Sequence, residues 1–345
     1  MIRWAVLGVV VAAIVTAFAY TGGWFSPHQL TPARFIDTFE KLNGLHPGFR
    51  RNHAKGLCVV GYFESNGQGA RLSRASVFQP GRVAVIGRFS LAGGQPYAPD
   101  GPAAVRGLGL RFKPRHSQEW RTAMIDLPVF AVRTPEGFYE QLLASKIDPA
   151  TGIPDPAKMT AFLAGHPETV RAMAIIKAKP FSSGFTDATY SGLNAFRFVN
   201  AAGVSTPVRW WMVPADAFAP EEPAGGQNKN YLFDALIARL RRGPVQWHLI
   251  ITIGQAGDPT DDATLPWPDT REHVDVGTLT IDNVVDEAHG SCRDINFDPL
   301  VLPNGISPSD DPLLSARSAV YSQSFTRRAG ETKEPSAVTP AEIHR

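Results

Sequence analysis

Apolar and polar positions divide the chain into an apolar lead, a β-rich body with helical insertions, and a polar tail. The lead runs uncharged from Trp4 to Tyr20 and has no polar face. It is slightly short of the ~20 residues a spanning helix uses, and Ala17-Phe18-Ala19 offers the small-x-small pattern of a signal cleavage site. Residues 1–24 therefore read as an export segment, either a membrane anchor or a cleaved signal, which directs the body to the periplasm. Phe35, Phe39 and Leu42 then share one helical face from Thr31 to Leu42, and Gly44 stops the helix. Short runs bounded by Gly and Pro follow at Val83–Ser90, Val105–Lys113 and Met124–Arg133. Phe196–Asn200 and Val204–Val213 flank Ala201-Ala202-Gly203 as a hairpin whose glycine supplies a positive φ. Trp247, Leu249, Ile251 and Ile253 alternate along another strand, and Val274–Val285 is a further one.

Helical patterns are inserted at Asp155–Ala164, at Pro167–Ile176 with a first-turn proline, and at Tyr231–Arg242. The last has Leu232, Leu236, Ile237 and Leu240 on one face, with Gly243 beyond its end. Many strands without regularly interposed helices predict an α+β fold on an antiparallel barrel, not a doubly wound sheet. The tail from Ala329 to Arg345 is polar and reads as loosely attached.

Composition changes this picture mainly by exclusion. The 345 residues are 43% hydrophobic and 19% charged with a net charge of +2, ordinary for a globular protein. Without basic blocks interleaved with aromatics, nucleic acid is not an expected partner. Cys58 and Cys292 form no CxxC pair, which excludes a zinc ribbon or a thioredoxin-type site. Two separate buried thiols are expected, with a disulfide as the alternative in an oxidising compartment. Gly107-x-Gly109 has no third glycine or following helix, so it is no nucleotide loop.

Candidate chemistry begins at the last helix. Asp311-Pro312 is a capping residue followed by a first-turn proline, and Arg317 and Tyr321 stand four residues apart on one face. A guanidinium beside a phenol favours the phenolate. Other strings then fall in order along the body. Arg50-Arg51-Asn52-His53-Ala54-Lys55-Gly56 resembles the R-x-x-H-A-K-G segment of haem catalases, and Arg88-Phe89-Ser90 resembles their R-F-S strand. Arg106 to Phe112 is similar to R-G-F-A-V-K-F, and Pro128 to Arg133, with Pro135 and Phe138, to P-V-F-F-I-R-D-P-x-x-F. Phe297-Asp298-Pro299 through Pro303-Asn304-Gly305-Ile306 resembles F-D-P-S-N-M-P-P-G-I, and Arg317 with Tyr321 matches R-x-x-x-Y at the family's spacing. The resemblance is to the short catalase-related peroxidases and covers residues of about 50 to 328.

The resemblance implies a catalase-like closed antiparallel barrel over residues 25–328, with inserted and C-terminal helices, holding haem b. It implies Tyr321 as the iron ligand, a role tyrosine has in catalases, with Arg317 keeping the phenol ionised. His53 would be the acid–base group acting on peroxide, and Ser90 would orient it. Arg50, Arg88 and Arg328 would pair with the haem propionates, while Phe130 and Phe138 would wall the porphyrin. Arg50 is preferred to Arg51 because it stands three before His53. His28, His116 and His344 lie in polar or terminal stretches, and His248 points off the core face of its strand.

The chain departs from full catalases where they carry an asparagine before P-V-F. Here the stretch is Met124-Ile125-Asp126-Leu127-Pro128, and Ile125 can neither donate nor accept a hydrogen bond. That disfavours holding a second hydrogen peroxide while leaving peroxide reduction intact. A one-residue register shift would bring in Asp126 instead, against strand alternation, and Asn52 is a candidate partial substitute. The implied activity is reduction of hydrogen peroxide or an organic hydroperoxide by a small-molecule or protein electron donor. The alternatives are a fatty-acid hydroperoxide isomerase and a haem-binding module without turnover; a homo-oligomer is also compatible with the resemblance.

Overall fold

The computed structural model describes residues 2–21, 30–101, 104–114, 117–148, 150–220 and 228–340; His28, His116 and His344 lie outside this set. The strands are β1 (Gly56–Ser65), β2 (Gly81–Leu91), β3 (Arg106–Lys113), β4 (Trp120–Ile125), β5 (Tyr190–Ser191), β6 (Phe196–Val199), β7 (Ser205–Pro214), β8 (Val245–Ile253), β9 (His273–Val285) and β10 (Ile306–Pro308). All pair antiparallel in the order β10-β6-β7-β5-β4-β3-β2-β1-β9-β8, and a β7–β8 pairing closes the ring. The result is an eight-stranded barrel, since β5 and β6 occupy the same edge of β7 on either side of an irregular step at Gly192–Ala195. Closure leaves the barrel without a free edge. Its interior is packed with alternating side chains such as Phe89, Leu108, Leu110, Phe112, Trp120, Trp210, Trp247 and Leu279.

The helices are α1 (Ile2–Thr21), α2 (Pro32–Asn43), α3 (Pro135–Ala144), α4 (Pro156–Gly165), α5 (Pro167–Ala178), α6 (Tyr231–Arg241) and α7 (Pro312–Ala329). Four of them start alike: Thr31, Thr134, Asp155 and Asp311 cap α2, α3, α4 and α7 through a side-chain oxygen, each followed by a proline. Proline there gives up an N–H that the helix could not use and presets φ. Trp4, Val9 and Phe18 of α1 are exposed. Among the described residues no helix is long and apolar enough to cross a membrane.

The structure corrects four readings of the pattern. The run expected as a strand at Met124–Arg133 is β4, ending at Ile125, and then irregular chain. β1 escaped the pattern because Gly56–Val59 is buried on both faces, which erases the alternation. α3 escaped it because its apolar residues do not gather on one stripe. Cys58 and Cys292 are not separate thiols but a disulfide joining β1 to a segment 234 residues on, with Cα atoms 5.4 Å apart.

The tail, too, is attached. Glu331 pairs with Arg51 and accepts the Gly48 N–H at 2.8 Å, the Tyr97 hydroxyl donates to the Pro335 carbonyl at 3.0 Å, and Val338 is 1% exposed in the core. Residues 341–345 lie outside the described set.

Candidate haem site on the outer face of the barrel

Two cross-strand rows on the outer face of β2–β4 form the floor of a cavity of about 340 Å³. One row is Ser90, Gly107, Ile125; the other is Arg88, Gly109, Ala123. Small residues in the middle of both rows leave the room. α7 covers the floor through Leu313, Ala316, Arg317, Val320, Tyr321 and Ser324, and Phe35, Phe39, Phe130 and Phe138 close one side. Phe138 contacts Phe35, Phe39 and Phe130 at centroid separations of 6.2, 6.4 and 5.7 Å. All nine residues singled out from the sequence line this one cavity: Arg50, His53, Arg88, Ser90, Phe130, Phe138, Arg317, Tyr321 and Arg328.

His53 sits just before β1 with φ of 54°, a left-handed backbone that is uncommon for any residue other than glycine. Such strain persists only where neighbours enforce it. Asn52 Oδ1 accepts both the His53 and the Gly93 N–H at 2.9 Å, tying the loop to the end of β2. The Asn52 oxygen is thereby committed to main chain and supports the His53 backbone, while Asn52 also lines the cavity. His53 Nδ1 lies 3.2 Å from Ser90 Oγ. The ring rests against Gly107, where a Cβ would stand 2.7 Å from Ser90 Oγ and 3.1 Å from His53 Nδ1. Burial, then the positive charges of Arg88, Arg317 and Arg50, push the imidazole down to about 3, so it is neutral near pH 7.

At the cavity edge Arg50, Arg88 and Arg328 gather around one carboxylate that the sequence pattern did not flag. Glu287 accepts from Arg88 Nε at 2.8 Å and from Arg50 Nη1 at 3.1 Å. Burial opposes its ionisation, but Arg88 and Arg50 outweigh burial and hold its pKa below the usual carboxylate range. Arg50 is lowered well below the ordinary arginine value by burial and by the neighbouring charges of Arg88 and Arg328. Glu287 thus pairs with two of the three lining guanidiniums while Arg328 donates to main-chain carbonyls, and the buried excess is positive. Arg51, also at the cavity, is occupied by Glu40 and Glu331.

On α7, one turn separates Arg317 from Tyr321, and the Arg317 Cζ lies 6.0 Å from the Tyr321 ring centroid. Arg317 donates to the Ala123 carbonyl at 3.1 Å and to Asn194 Oδ1. Asn194 in turn donates to Asp311 Oδ2 at 2.7 Å, and Asp311 Oδ1 caps α7 by accepting the Leu313 N–H. Asn194 was not foreseen. Its strand breaks at Gly192–Ala195, where Leu193 has φ of 63°, and that kink sends Asn194 to the cavity. Ile125 lines the cavity, whereas Asp126 faces away and binds the Arg106 N–H at 2.9 Å. His248 is half-exposed beside Asp275, off the core face as expected.

Residues 19–338 match the family model for catalase. The chain belongs to the catalase family. It is 39% identical to a catalase-related peroxidase of Synechococcus elongatus over 94% of this chain and 96% of that protein. A catalase-related peroxidase of Mycolicibacterium paratuberculosis is 33% identical over 87% of this chain and 96% of its own length. A fungal catalase superposes with a TM-score of 0.75 at 20% identity, covering 88% of this chain and 64% of that one. Catalase A of Saccharomyces cerevisiae gives 0.75 at 20%, covering 88% and 66%. The chain therefore spans just under two thirds of the length of these solved catalases, whose likeness establishes the barrel.

Catalase-family membership carries haem binding with it, and the cavity fits that group. A buried excess of guanidinium charge suits two carboxylates, a phenol from α7 suits a ferric ion, and the remaining walls are apolar.

Proposed function

We propose that this chain is a haem b peroxidase that reduces hydrogen peroxide or an organic hydroperoxide with electrons from an external donor. The observation that carries the reading is that a neutral His53 and the Tyr321 phenol line one cavity edged by Arg50, Arg88 and Arg328. Bound there, haem supplies the redox centre for the two-electron reduction of peroxide to water and an alcohol or a second water.

The chain's own residues handle protons and position. With the Nδ1 proton donated to Ser90 Oγ, His53 Nε2 keeps a free lone pair. It takes the proton from the attacking peroxide oxygen and delivers it to the leaving one, so the O–O bond breaks without releasing an anion. Its low pKa keeps the base form available. Tyr321 would hold the iron, with Arg317 fixed beside it by Asn194 and Ala123. Arg50, Arg88 and Arg328 would take the propionates. Ile125 offers no hydrogen bond to a second hydrogen peroxide, so catalase turnover is weak. No observation of this site favours an isomerase or a module without turnover.

The same proposal places the body in the periplasm, supported by the apolar α1 and by a disulfide that an oxidising compartment sustains. Whether α1 anchors or is removed, a small molecule or protein supplies the electrons, and assembly into homo-oligomers fits the family.

The test is the absorption spectrum of haem-reconstituted protein titrated with hydrogen peroxide and with a bulky hydroperoxide. Absence of a Soret band sinks the reading. Undiminished peroxide consumption by His53→Ala would remove the proton-transfer role.

A further inference from the structure

The segment from Asp286 to Ile295, between β9 and the Phe297 turn, contributes nothing to the cavity wall, yet it supplies acceptors to all three guanidiniums at the cavity edge. Glu287 binds Arg88 and Arg50. The Cys292 and Ile295 carbonyls accept from Arg50 Nη2 at 3.0 and 2.9 Å. The Arg293 and Ile295 carbonyls accept from Arg328. Burial first, and then repulsion from Arg88 and from one another, lowers Arg50 and Arg328, so these cations need the acceptors that the strap supplies and their directions follow where it lies.

Besides its bonds to the three arginines and the seat of Arg293 over the Phe49 ring at 5.1 Å, the tail and a disulfide locate the strap between its ends. The tail touches it from outside, through Ser336 Oγ on the Ala288 N–H at 2.7 Å, the Glu334 carbonyl on Arg293, and Lys333 on the exposed Asp294. The Cys58–Cys292 disulfide ties it to the barrel, and both sulfurs lie in a small core with Ile295 and Phe297. Approach is close enough that a Cβ on Gly290 would meet Cys58 Cβ and Sγ at 2.7 Å. Cys292 is thus joined covalently to β1 while its own carbonyl holds Arg50.

We propose that Cys58 and Cys292 are positioning residues for the cofactor's carboxylates: their disulfide fixes the strap that aims Arg50, Arg88 and Arg328 into the cavity. The inference rests on the haem reading, but it concerns the chain's grip on carboxylates and not turnover. Cleaving the bond takes two electrons and two protons, gives two thiols, and lets the strap move without removing any group that touches the cofactor.

The experiment compares iron protoporphyrin with its dimethyl ester, which lacks the carboxylates, by measuring how fast each leaves the full-length protein for an excess of apoglobin. The intact protein should retain the diacid longer than the diester by about tenfold or more, the worth of one charge-assisted hydrogen bond. In Cys58→Ala with Cys292→Ala that preference should shrink by about tenfold. Cys58→Val with Cys292→Ala, which restores buried volume, should show the same loss if the first pair folds poorly. A lowered Tm with the preference intact would make the disulfide purely structural and overturn the proposal. An intact protein that holds both porphyrins equally would overturn it too, while leaving the haem reading standing. Failure to bind either porphyrin would defeat the haem reading itself.

Discussion

Replacing Gly107 by alanine tests how tightly the fold sets His53. The new Cβ would lie 2.7 Å from Ser90 Oγ, 3.1 Å from His53 Nδ1 and 3.2 Å from His53 Cε1, whereas ordinary contact begins at 3.4 Å. Ser90 Oγ must therefore retreat by about 0.7 Å (3.4 minus 2.7) or turn to another rotamer. Ser90 is only 6% exposed and lies within β2, so the strand cannot give way cheaply. Its contact to His53 is already 3.2 Å long, and a retreat of that size ends it as a hydrogen bond. The lost bond costs about 1 kcal/mol, and misplacing a catalytic group by about 1 Å can cost a hundredfold in rate. Peroxide-reducing kcat/KM, normalised to bound haem, should fall by about tenfold to a hundredfold, with overpacking lowering stability by about 1–3 kcal/mol. Ser90→Ala removes the atom in conflict, so adding Gly107→Ala to it should cost clearly less than in the parent. A rate within about twofold of the parent, or an equal penalty in both backgrounds, would refute the reasoning.

Three further outcomes are expected. Ile125→Asn puts an amide in the row beside Gly107 and Ser191, and should raise oxygen evolved per peroxide consumed by about tenfold, read with an oxygen electrode. Asn194→Leu strips a donor from the buried Asp311 and an acceptor from Arg317; at about 1–3 kcal/mol for each orphaned group, thermal melts should show a drop of several degrees. His53 is held near 3 when folded but titrates near ~6.5 when unfolded. Between those values the unfolded chain binds the extra proton, so this group's contribution to stability falls as pH falls through that window and is fully present above it. Denaturant melts from about pH 4 to pH 7 should show a shallower slope in His53→Gln.

Local features were legible because their physics is local. An apolar face stopped by Gly44 announced α2, a cap-plus-proline pair announced α7, and the Arg317–Tyr321 spacing placed both residues on one helical face before any packing was known. Gly203 marked the β6–β7 turn, with φ of 83°. What stayed hidden depends on contacts made far away in sequence. Glu287 follows β9 in a polar stretch and looks like any solvated acid, yet folding buries it between two arginines some 200 residues earlier. Asn194 owes its role to a break in a strand that periodicity treats as a gap. The disulfide and the docked tail were misread for the same reason, since spacing carries no information about a partner 234 residues away and a polar composition does not reveal a surface waiting for Glu331 and Val338.

The barrel's register explains why peroxide reduction and catalase turnover can separate in one site. Ser90, Gly107 and Ile125 stand abreast on three neighbouring strands, each directly opposite the next. Ser90 contacts the imidazole, Gly107 makes room for it, and Ile125 faces the space beyond. In the proposed mechanism, moving the proton between the two oxygens of one peroxide needs only the first two, because there His53 would take it up and give it back. Oxidising a second hydrogen peroxide needs that molecule held and oriented, and the third position offers it only methyl and methylene groups. A shift of β4 by one residue would exchange Ile125 for Asp126, but Asp126 is locked to the Arg106 main chain and side chain on the opposite face. The apolar wall is therefore fixed by pairing across the sheet, and a substitution at Ile125 alone should change the fate of a second peroxide without disturbing how His53 handles the first.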